Sequence, residues 1–210
     1  MTGKIDFYTN PMSRGQIARW MLEEVGAPYE THIIDYARMK DDAYLAVNPM
    51  GKVPAIRHDG KTVTEGAAIC AYLAAAFPAV NLGPEPDEMA DYYRWLFFAA
   101  GPIEQAVINK SLGFTATADQ ERSAGYGTYD RVMDVLDAML SERDYACGGR
   151  FTACDVYLGS HVMWGLAFGT FAKRPSFEAY AARLGSREAY IRAKKIDNDL
   201  IAAMTPPPSA

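Results

Sequence analysis

The stretch NPMGKVPAIRHDGKTVTEGAAI, residues 48–69, decides the fold predicted for the first part of this chain. Its two strand-like runs, residues 53–57 and 61–64, are separated by Asp59-Gly60, one of the better two-residue signals for a β-hairpin turn. Residues 65–77 follow directly, are rich in alanine, and predict a helix. The stretch therefore predicts an antiparallel hairpin whose second strand leads straight into a helix.

The residues before this hairpin alternate between strand-like and helix-like segments. Residues 5–9 form a short apolar run that ends at an Asn-Pro turn. From Ser13 onward, apolar residues recur at helical spacing until a glycine that is expected to end this helix. Residues 29–34 predict a second strand, and residues 38–47 predict a short helix. The order βαβαββα over residues 1–77 predicts an α/β domain with a mixed four-stranded sheet, in which the first two strands are parallel and the hairpin is antiparallel.

The rest of the chain contains no convincing strand. Prolines and a glycine clustered in residues 78–86 indicate a linker, and residues 87–210 predict an all-helical domain with a kink at Gly101-Pro102. Within that domain Thr152 can cap a helix while Asp155 returns the hydrogen bond, an aspartate variant of the capping box. Apolar spacing predicts further helices over residues 126–139, 175–184 and 187–204.

Composition and charge exclude several classes of protein. The 210 residues include 21 Lys and Arg against 26 Asp and Glu, without a basic run, so we expect no nucleic-acid partner. The longest apolar stretch, residues 67–77, is shorter than the roughly 20 residues of a membrane span, so no membrane partner is expected. The N-terminus lacks the apolar core of a secretory signal. Because Cys70, Cys147 and Cys154 form no CxxC motif, we expect reduced thiols in a cytoplasmic protein.

Three motifs together resemble the cytosolic glutathione transferase family. They are residues 48–54, residues 64–69 and the cap from Thr152 to Asp155, in an order and spacing that cover nearly the whole chain. The resemblance implies a thioredoxin-like N-terminal domain that binds glutathione as co-substrate, followed by an all-α domain that carries a site for a hydrophobic electrophile. The first loop, residues 8–14, resembles that of the serine-type transferases, in which the hydroxyl lies two residues after a proline.

By this resemblance, the hairpin motif holds glutathione. The Val53-Pro54 bond is expected to be cis, so that the main chain of Val53 pairs with the tripeptide as an added strand. Glu65 is expected to accept hydrogen bonds from the γ-glutamyl ammonium. The N–H groups at the helix N-terminus are expected to donate to the neighbouring γ-glutamyl carboxylate. Gly66 replaces the serine usual in the family, which removes one hydrogen bond worth about 0.5–1.5 kcal/mol. Lys52 is placed for the glycyl end or the cysteinyl region.

The residues alone leave a structural alternative open for each of these assignments. Pro54 could be an ordinary trans proline at the start of an edge strand. Glu65 could be an acidic first-turn residue that only complements the helix dipole, and Lys52 could be a solvated surface cation.

Ser13 is the predicted catalytic residue, since a hydroxyl at a helix N-terminus can stabilise a thiolate. Lowering a thiol pKa from about 8.5 by two units requires about 2.7 kcal/mol of preferential stabilisation of the anion, which a hydrogen bond and the helix dipole can supply together. Serine is also a favoured helix cap, which would occupy the same oxygen. Tyr8 and Asn10 are the rival partners of the thiolate, and Arg14 could add positive field.

The second substrate is expected to bind between the domains, against the first loop and the helices after the linker. The candidate lining residues are Met12, Phe98, Phe114 and Trp164. The resemblance also implies a homodimer, to which the helical face from Tyr92 to Glu104 could contribute, with Glu104 reaching the partner's glutathione.

Two features exclude related chemistries. The loop Asn10-Pro11-Met12-Ser13 lacks both sulfurs of the Cys-Pro-x-Cys loop of glutaredoxin-like relatives, so a dithiol oxidoreductase is not expected. His32, His58 and His161 are isolated in the sequence and lack metal-ligand spacing, so no metal is expected.

The leading prediction is therefore a transferase that conjugates glutathione to small hydrophobic electrophiles. A glutathione-dependent isomerase, dehalogenase or ether-cleaving lyase is one alternative, and a non-catalytic, transferase-like binding or scaffold protein is another. The substitution at Gly66 and the unusual Asn10 mildly favour the scaffold, whereas the retained Lys52, Val53-Pro54 and Glu65 argue against it.

Overall fold

A four-stranded mixed sheet organises the first part of the chain in the computed structural model, which describes residues 3–204. Its strands are β1 (Ile5–Thr9), β2 (Tyr29–Ile33), β3 (Ala55–His58) and β4 (Lys61–Thr64), in the order β2-β1-β3-β4. β1 and β2 are parallel, whereas β1–β3 and β3–β4 are antiparallel. The predicted mixed sheet is thus confirmed. The two N-terminal residues and residues 205–210 of the predicted helical domain lie outside the described residues.

Three helices accompany this sheet: α1 (Gly15–Val25), α2 (Asp42–Leu45) and α3 (Gly66–Ala76). The helix predicted over residues 38–47 is much shorter than expected, because the extended backbone of Asp41 separates a 3-10 turn at Tyr36–Arg38 from α2. β3 likewise starts at Ala55 and not at residue 53, since Pro54 has no N–H to donate to the sheet.

The core of this part lies between the sheet and the pair α1 and α3. Ile5, Phe7 and Ile56 are fully buried on the face that these helices cover, whereas the alternate residue Asp6 is half-buried on the other face. Gly15 allows α1 to start close to β1, since a Cβ there would lie only 1.9 Å from Thr9 Oγ1.

The following residues form helices α4 (Met89–Phe98), α5 (Glu104–Ser111), α6 (Tyr129–Glu142), α7 (Ala153–Phe168) and α8 (Pro175–Gly185). The predicted kink is present as a π-helical segment, Ala99–Ile103, that contains Pro102 between α4 and α5. Tyr126 precedes α6, which instead begins after Thr128, whose Oγ1 accepts the N–H of Arg131 at 3.2 Å.

The predicted capping box at the start of α7 is present. Thr152 and Asp155 exchange their reciprocal hydrogen bonds, including one from the Thr152 N–H to Asp155 Oδ2 at 2.8 Å. Asp155 Oδ1 also accepts hydrogen bonds from the Ala146 N–H and from the Tyr180 hydroxyl, each at 2.7 Å. The cap therefore also ties α7 to the preceding turn and to α8.

The last helix, α9 (Glu188–Met204), packs against α1. The described residues accordingly divide into a first unit, up to Asn81 and again from Ser186 onward, and a second unit, from Leu82 to Gly185. The predicted all-helical domain, residues 87–210, thus differs from the second unit mainly in including α9. Among residues 3–204, none of the helices has both the length and the apolar character needed to cross a bilayer.

Candidate active site

The strand pairing brings the predicted glutathione-binding residues to one end of the sheet. Tyr8 of β1 lies opposite Ala55 of β3, and Ala55 lies opposite Thr64 of β4. Adjacent strands are about 4.8 Å apart, so this row of three residues spans about 10 Å. The loop after β1, the Val53-Pro54 peptide and Glu65 all continue from this end, which matches the reach of a short extended peptide.

The Val53-Pro54 peptide bond is cis, as the family resemblance implies. Val53 is half-buried and precedes the first paired residue of β3. Within residues 3–204, neither the N–H nor the C=O of Val53 has a hydrogen-bond partner. Both groups can therefore pair with a peptide that is added beside the sheet.

The turn before Val53 is held by side chains that sequence reasoning did not assign to the site. The Lys52 carbonyl accepts hydrogen bonds from the Tyr44 hydroxyl at 2.6 Å and from Asn48 Nδ2 at 2.7 Å. Gly51 has φ +59°, and a Cβ there would lie 2.6 Å from the Met39 carbonyl oxygen. The Asn-Pro signal pointed to the turn, but nothing in the sequence pointed to Tyr44.

Lys52 carries a charged side chain in this turn. It is exposed, and its ammonium makes no ion pair with another described residue. The ammonium thus stays available to an anionic group.

Glu65 connects β4 to α3 with φ 65° and ψ 120°, a conformation that a side-chain-bearing residue seldom adopts. Such a conformation costs about 1–3 kcal/mol and tends to occur at binding sites. The Glu65 carboxylate is exposed and has no partner among the described residues. No sequence pattern signals this backbone conformation.

Gly66 opens α3 beside this carboxylate. The first N–H of α3 that is satisfied is that of Ile69, which donates to the Glu65 carbonyl at 2.9 Å. The N–H groups of residues 66–68 have no acceptor among the described residues, so the helix N-terminus can bind a carboxylate.

Ser13 lies two residues before α1, near the predicted helix start, and is half-buried. Its hydroxyl donates to the Asn10 carbonyl at 2.6 Å and accepts the N–H of Gly15 at 3.0 Å. The oxygen thus satisfies one of the N–H groups at the start of α1, as the capping alternative expects. The hydroxyl proton would have to turn away from Asn10 to reach a sulfur.

The two rivals of Ser13 differ in their surroundings. Asn10 is buried, and its side chain spans the loop, with Nδ2 donating to the Ile34 carbonyl at 3.1 Å and Oδ1 accepting the Met12 N–H at 2.9 Å. Tyr8 is half-buried and stacks on His32 with ring centroids 4.8 Å apart. Its hydroxyl has no hydrogen bond to another described residue. Tyr8 is therefore the rival whose polar group is available.

The candidate electrophile-site residues lie in both units. Met12 belongs to the first unit, where it is 54% exposed. Phe114 lines a cavity of about 350 Å³ in the second unit, between α5 and the start of α6. Phe98 and Trp164 are half-buried and do not line that cavity, and Phe98 packs edge-on against Trp95 with ring centroids 5.3 Å apart.

The predicted dimerisation face is partly buried within the second unit. Tyr92 is 1% exposed, so it cannot belong to a surface formed by α4. Glu104 Oε2 lies 3.6 Å from Nδ1 of the buried His161.

His32, which is isolated in the sequence, has two carboxylate neighbours in the structure. Its ring lies within 4.8 Å of carboxylate oxygens of Asp6 and Glu30, on the adjacent strands β1 and β2. Sequence spacing missed this cluster because parallel strand pairing joins residues that are distant in the chain. The cluster is partly exposed, and Lys4 forms an ion pair with Glu30.

Comparison with known proteins supports the family resemblance inferred from the sequence motifs. The family described as "Glutathione S-transferase, N-terminal domain" matches residues 12–76. Glutathione S-transferase hmp2 of Hypomyces subiculosus is 27% identical over 206 residues, which cover 90% of this chain and 97% of that protein. GstA of Escherichia coli O157:H7 is 29% identical over 157 residues, covering 70% of this chain and 75% of that protein.

A solved structure extends the likeness to three dimensions. The sphingomonad glutathione S-transferase, solved in complex with glutathione, has a TM-score of 0.75 and 29% identity to this chain. The match covers 92% of this chain and 98% of that structure. The likeness therefore includes both the sheet-containing and the helical parts.

Proposed function

This chain belongs to the cytosolic glutathione S-transferase family, and we propose that it binds glutathione at the end of its sheet and activates the thiol with Ser13. The thiolate then attacks a small hydrophobic electrophile. The observation that carries the proposal is the pair of unsatisfied main-chain groups on Val53, at the same sheet end as Glu65 and Ser13. Positioning and thiol activation are the two catalytic contributions.

The tripeptide would be held mainly by main-chain groups. The N–H and C=O of Val53 pair with the cysteinyl residue in the manner of an added strand. The free N–H groups at the start of α3 receive the γ-glutamyl carboxylate, and the exposed Glu65 carboxylate receives the ammonium beside it. The Lys52 ammonium is available for the glycyl carboxylate.

Ser13 would act by turning its proton from the Asn10 carbonyl to the sulfur of glutathione. Its bond from the Gly15 N–H persists in this rotation, because that bond uses a lone pair of the oxygen and not its proton. Accepting this bond polarises the hydroxyl and makes it a better donor. The capping and catalytic roles of Ser13 are therefore compatible.

The family resemblance also supports a homodimer in the cytoplasm. Of the side chains predicted to contact the electrophile, Phe114 is the one that lines a cavity, between α5 and the start of α6. The reaction type, whether conjugation, isomerisation, dehalogenation or ether cleavage, depends on how these side chains meet the second substrate.

Thermal unfolding with and without millimolar glutathione tests the binding half of the proposal. A ligand that binds only the folded state raises the midpoint of unfolding. We expect a rise for the wild type and a smaller one for Glu65→Ala. An unchanged midpoint in the wild type would favour the scaffold alternative.

Turnover of a generic aromatic halide tests the catalytic half. We expect Ser13→Ala to lower kcat by about 10- to 100-fold, the change in thiolate fraction that a two-unit pKa shift allows. Glutathione affinity should stay within the range of the wild type. Ser141→Ala is the matched control, because that exposed hydroxyl donates to the Asp137 carbonyl of its own helix. If Ser13→Ala is fully active, the role passes to Tyr8, which Tyr8→Phe then tests.

A further inference from the structure

The carbonyl group of Lys52 accepts two short hydrogen bonds from side chains in the turn before Val53. The Tyr44 hydroxyl donates to it at 2.6 Å, and Asn48 Nδ2 donates to it at 2.7 Å. Both donors are buried, with Tyr44 4% exposed and Asn48 2% exposed. Two buried side chains therefore hold a main-chain oxygen that lies outside strand β3.

The two donors are themselves held in place. Tyr44 lies on α2, and its carbonyl accepts the N–H groups of Val47 at 2.8 Å and of Asn48 at 2.9 Å. The side-chain oxygen Oδ1 of Asn48 accepts the Met50 N–H at 3.1 Å, which leaves Nδ2 to donate to Lys52. Burial raises the pKa of Tyr44 to about 12, so the hydroxyl keeps its proton at neutral pH.

The held carbonyl determines the direction of the Val53 N–H. The peptide bond between Lys52 and Val53 is trans, and in a planar trans peptide the C=O and the N–H point in opposite directions. Because the C=O faces Tyr44 and Asn48, the N–H of Val53 faces away from both side chains. Rotating this peptide plane would break both hydrogen bonds to the Lys52 carbonyl.

We propose that Tyr44 is a positioning residue for glutathione, which fixes the Lys52–Val53 peptide plane so that the Val53 N–H is preset to donate to the cysteinyl carbonyl of the tripeptide. This inference rests on the proposed function, because it takes Val53 as the main-chain partner of glutathione. Without the Tyr44 hydroxyl the peptide keeps one side-chain anchor, and ordering it on binding reduces the affinity. Since Tyr44 acts through the main chain, its loss changes affinity and not the chemical step.

The variant Tyr44→Phe tests this proposal, because it removes the hydroxyl and keeps the buried ring. We expect the Kd of glutathione, measured by isothermal titration calorimetry, to rise about 2- to 10-fold, the worth of one hydrogen bond. The kcat at saturating glutathione should stay at the wild-type value. A wild-type Kd in Tyr44→Phe would overturn the proposal.

The matched control is Tyr180→Phe. The Tyr180 hydroxyl is also buried and donates to Asp155 Oδ1 at 2.7 Å, but it belongs to the second unit. Its loss should lower the midpoint of thermal unfolding and leave the Kd of glutathione unchanged. A rise in Kd for Tyr180→Phe equal to that for Tyr44→Phe would show that lost stability alone weakens binding, which would overturn the positioning role.

A glutathione analogue separates positioning from a general disturbance of the site. In this analogue a CH2–CH2 link replaces the amide between cysteine and glycine, so the acceptor for the Val53 N–H is missing. We expect Tyr44→Phe to weaken binding of the analogue by a smaller factor than binding of glutathione, since the two changes remove the same interaction. Equal factors for the two ligands would contradict the proposal. A wild-type protein that binds no glutathione would overturn the proposed function together with this role, whereas wild-type binding with an unchanged Kd in Tyr44→Phe overturns this role alone.

Discussion

Gly66 shows how a single residue sets the strength of the proposed glutathione site. The position opens α3 next to Glu65, where a serine hydroxyl would donate to the γ-glutamyl carboxylate. Glycine keeps the main-chain N–H but supplies no side-chain donor. The proposed site therefore depends on main-chain groups to an unusual degree.

Replacing Gly66 with serine should strengthen glutathione binding. One added hydrogen bond, worth about 0.5–1.5 kcal/mol, corresponds to an affinity gain of about 2- to 10-fold. Isothermal titration calorimetry measures this directly. Ala67→Ser, one position along in the same turn, is the control and should leave affinity unchanged. An unaltered Kd in Gly66→Ser would place the carboxylate elsewhere.

At the scale of elements, α1 and α9 are joined by a buried ion pair. Arg19 Nε donates to Asp197 Oδ1 at 2.7 Å, and both side chains are 1% exposed. Arg19 also donates from Nη1 to the Tyr29 hydroxyl and to Thr31 Oγ1, both at 3.2 Å, so it links α9 to β2 as well.

Removing one partner of this pair should be costly. Asp197→Ala leaves the Arg19 charge buried without its partner, which typically destabilises a fold by about 3–5 kcal/mol. Urea unfolding measures the loss. Arg192→Ala is the matched control, because its pair with Glu23 is half exposed and should contribute at most about 1 kcal/mol. The double change Arg19→Met with Asp197→Leu should recover much of the stability that Asp197→Ala loses. An Asp197→Ala variant as stable as the wild type would contradict this expectation.

A second connection between elements lies in the helical unit, where Glu88 at the start of α4 binds Arg150. Arg150 Nε donates to Glu88 Oε1 at 2.8 Å. This hydrogen bond holds the pKa of the Glu88 carboxyl below its ordinary value, although burial opposes the shift. The folded state therefore binds this proton more weakly than the unfolded state.

The sign of this shift makes the contribution of Glu88 depend on pH. Its stabilisation is complete above the unfolded-state pKa of about 4.3 and is lost as the pH falls through the lowered folded-state value. We expect Glu88→Gln to lower the free energy of unfolding by about 1.5–3 kcal/mol at neutral pH. We also expect the free energy of unfolding of this variant to fall less steeply as the pH is lowered into the acid range. Urea unfolding at several pH values checks both effects, and parallel curves for variant and wild type would refute them.

For the whole molecule, the last helix belongs with the first part of the chain. A chain ended after Gly185 would lose α9 and leave Arg19 without Asp197. We expect this truncation to destabilise the sheet of the first unit by more than Asp197→Ala alone. Hydrogen exchange at the amides of β1 and β3 would report it. Lys195→Ala, on the exposed face of α9, is the control and should keep the exchange protection of the wild type. Exchange protection in the truncated chain equal to that of the wild type would disprove the expectation.

Local sequence determined a large part of this protein. The hairpin at Asp59-Gly60, the helix after it and the Thr152–Asp155 capping box each form within a few residues, so turn chemistry, periodicity and capping suffice to predict them. The motif from residue 48 to residue 54 was enough to anticipate the cis peptide bond, through the family it resembles.

Tertiary structure alone decided what depends on residues far apart in the chain. Arg19 is buried because its partner lies on a helix 178 residues later, and Tyr44 supports Lys52 because a side chain of α2 reaches the turn after it. Sequence patterns indicate the local backbone conformation and which face of a helix or strand is buried, whereas tertiary packing decides which group becomes the partner of a buried polar side chain.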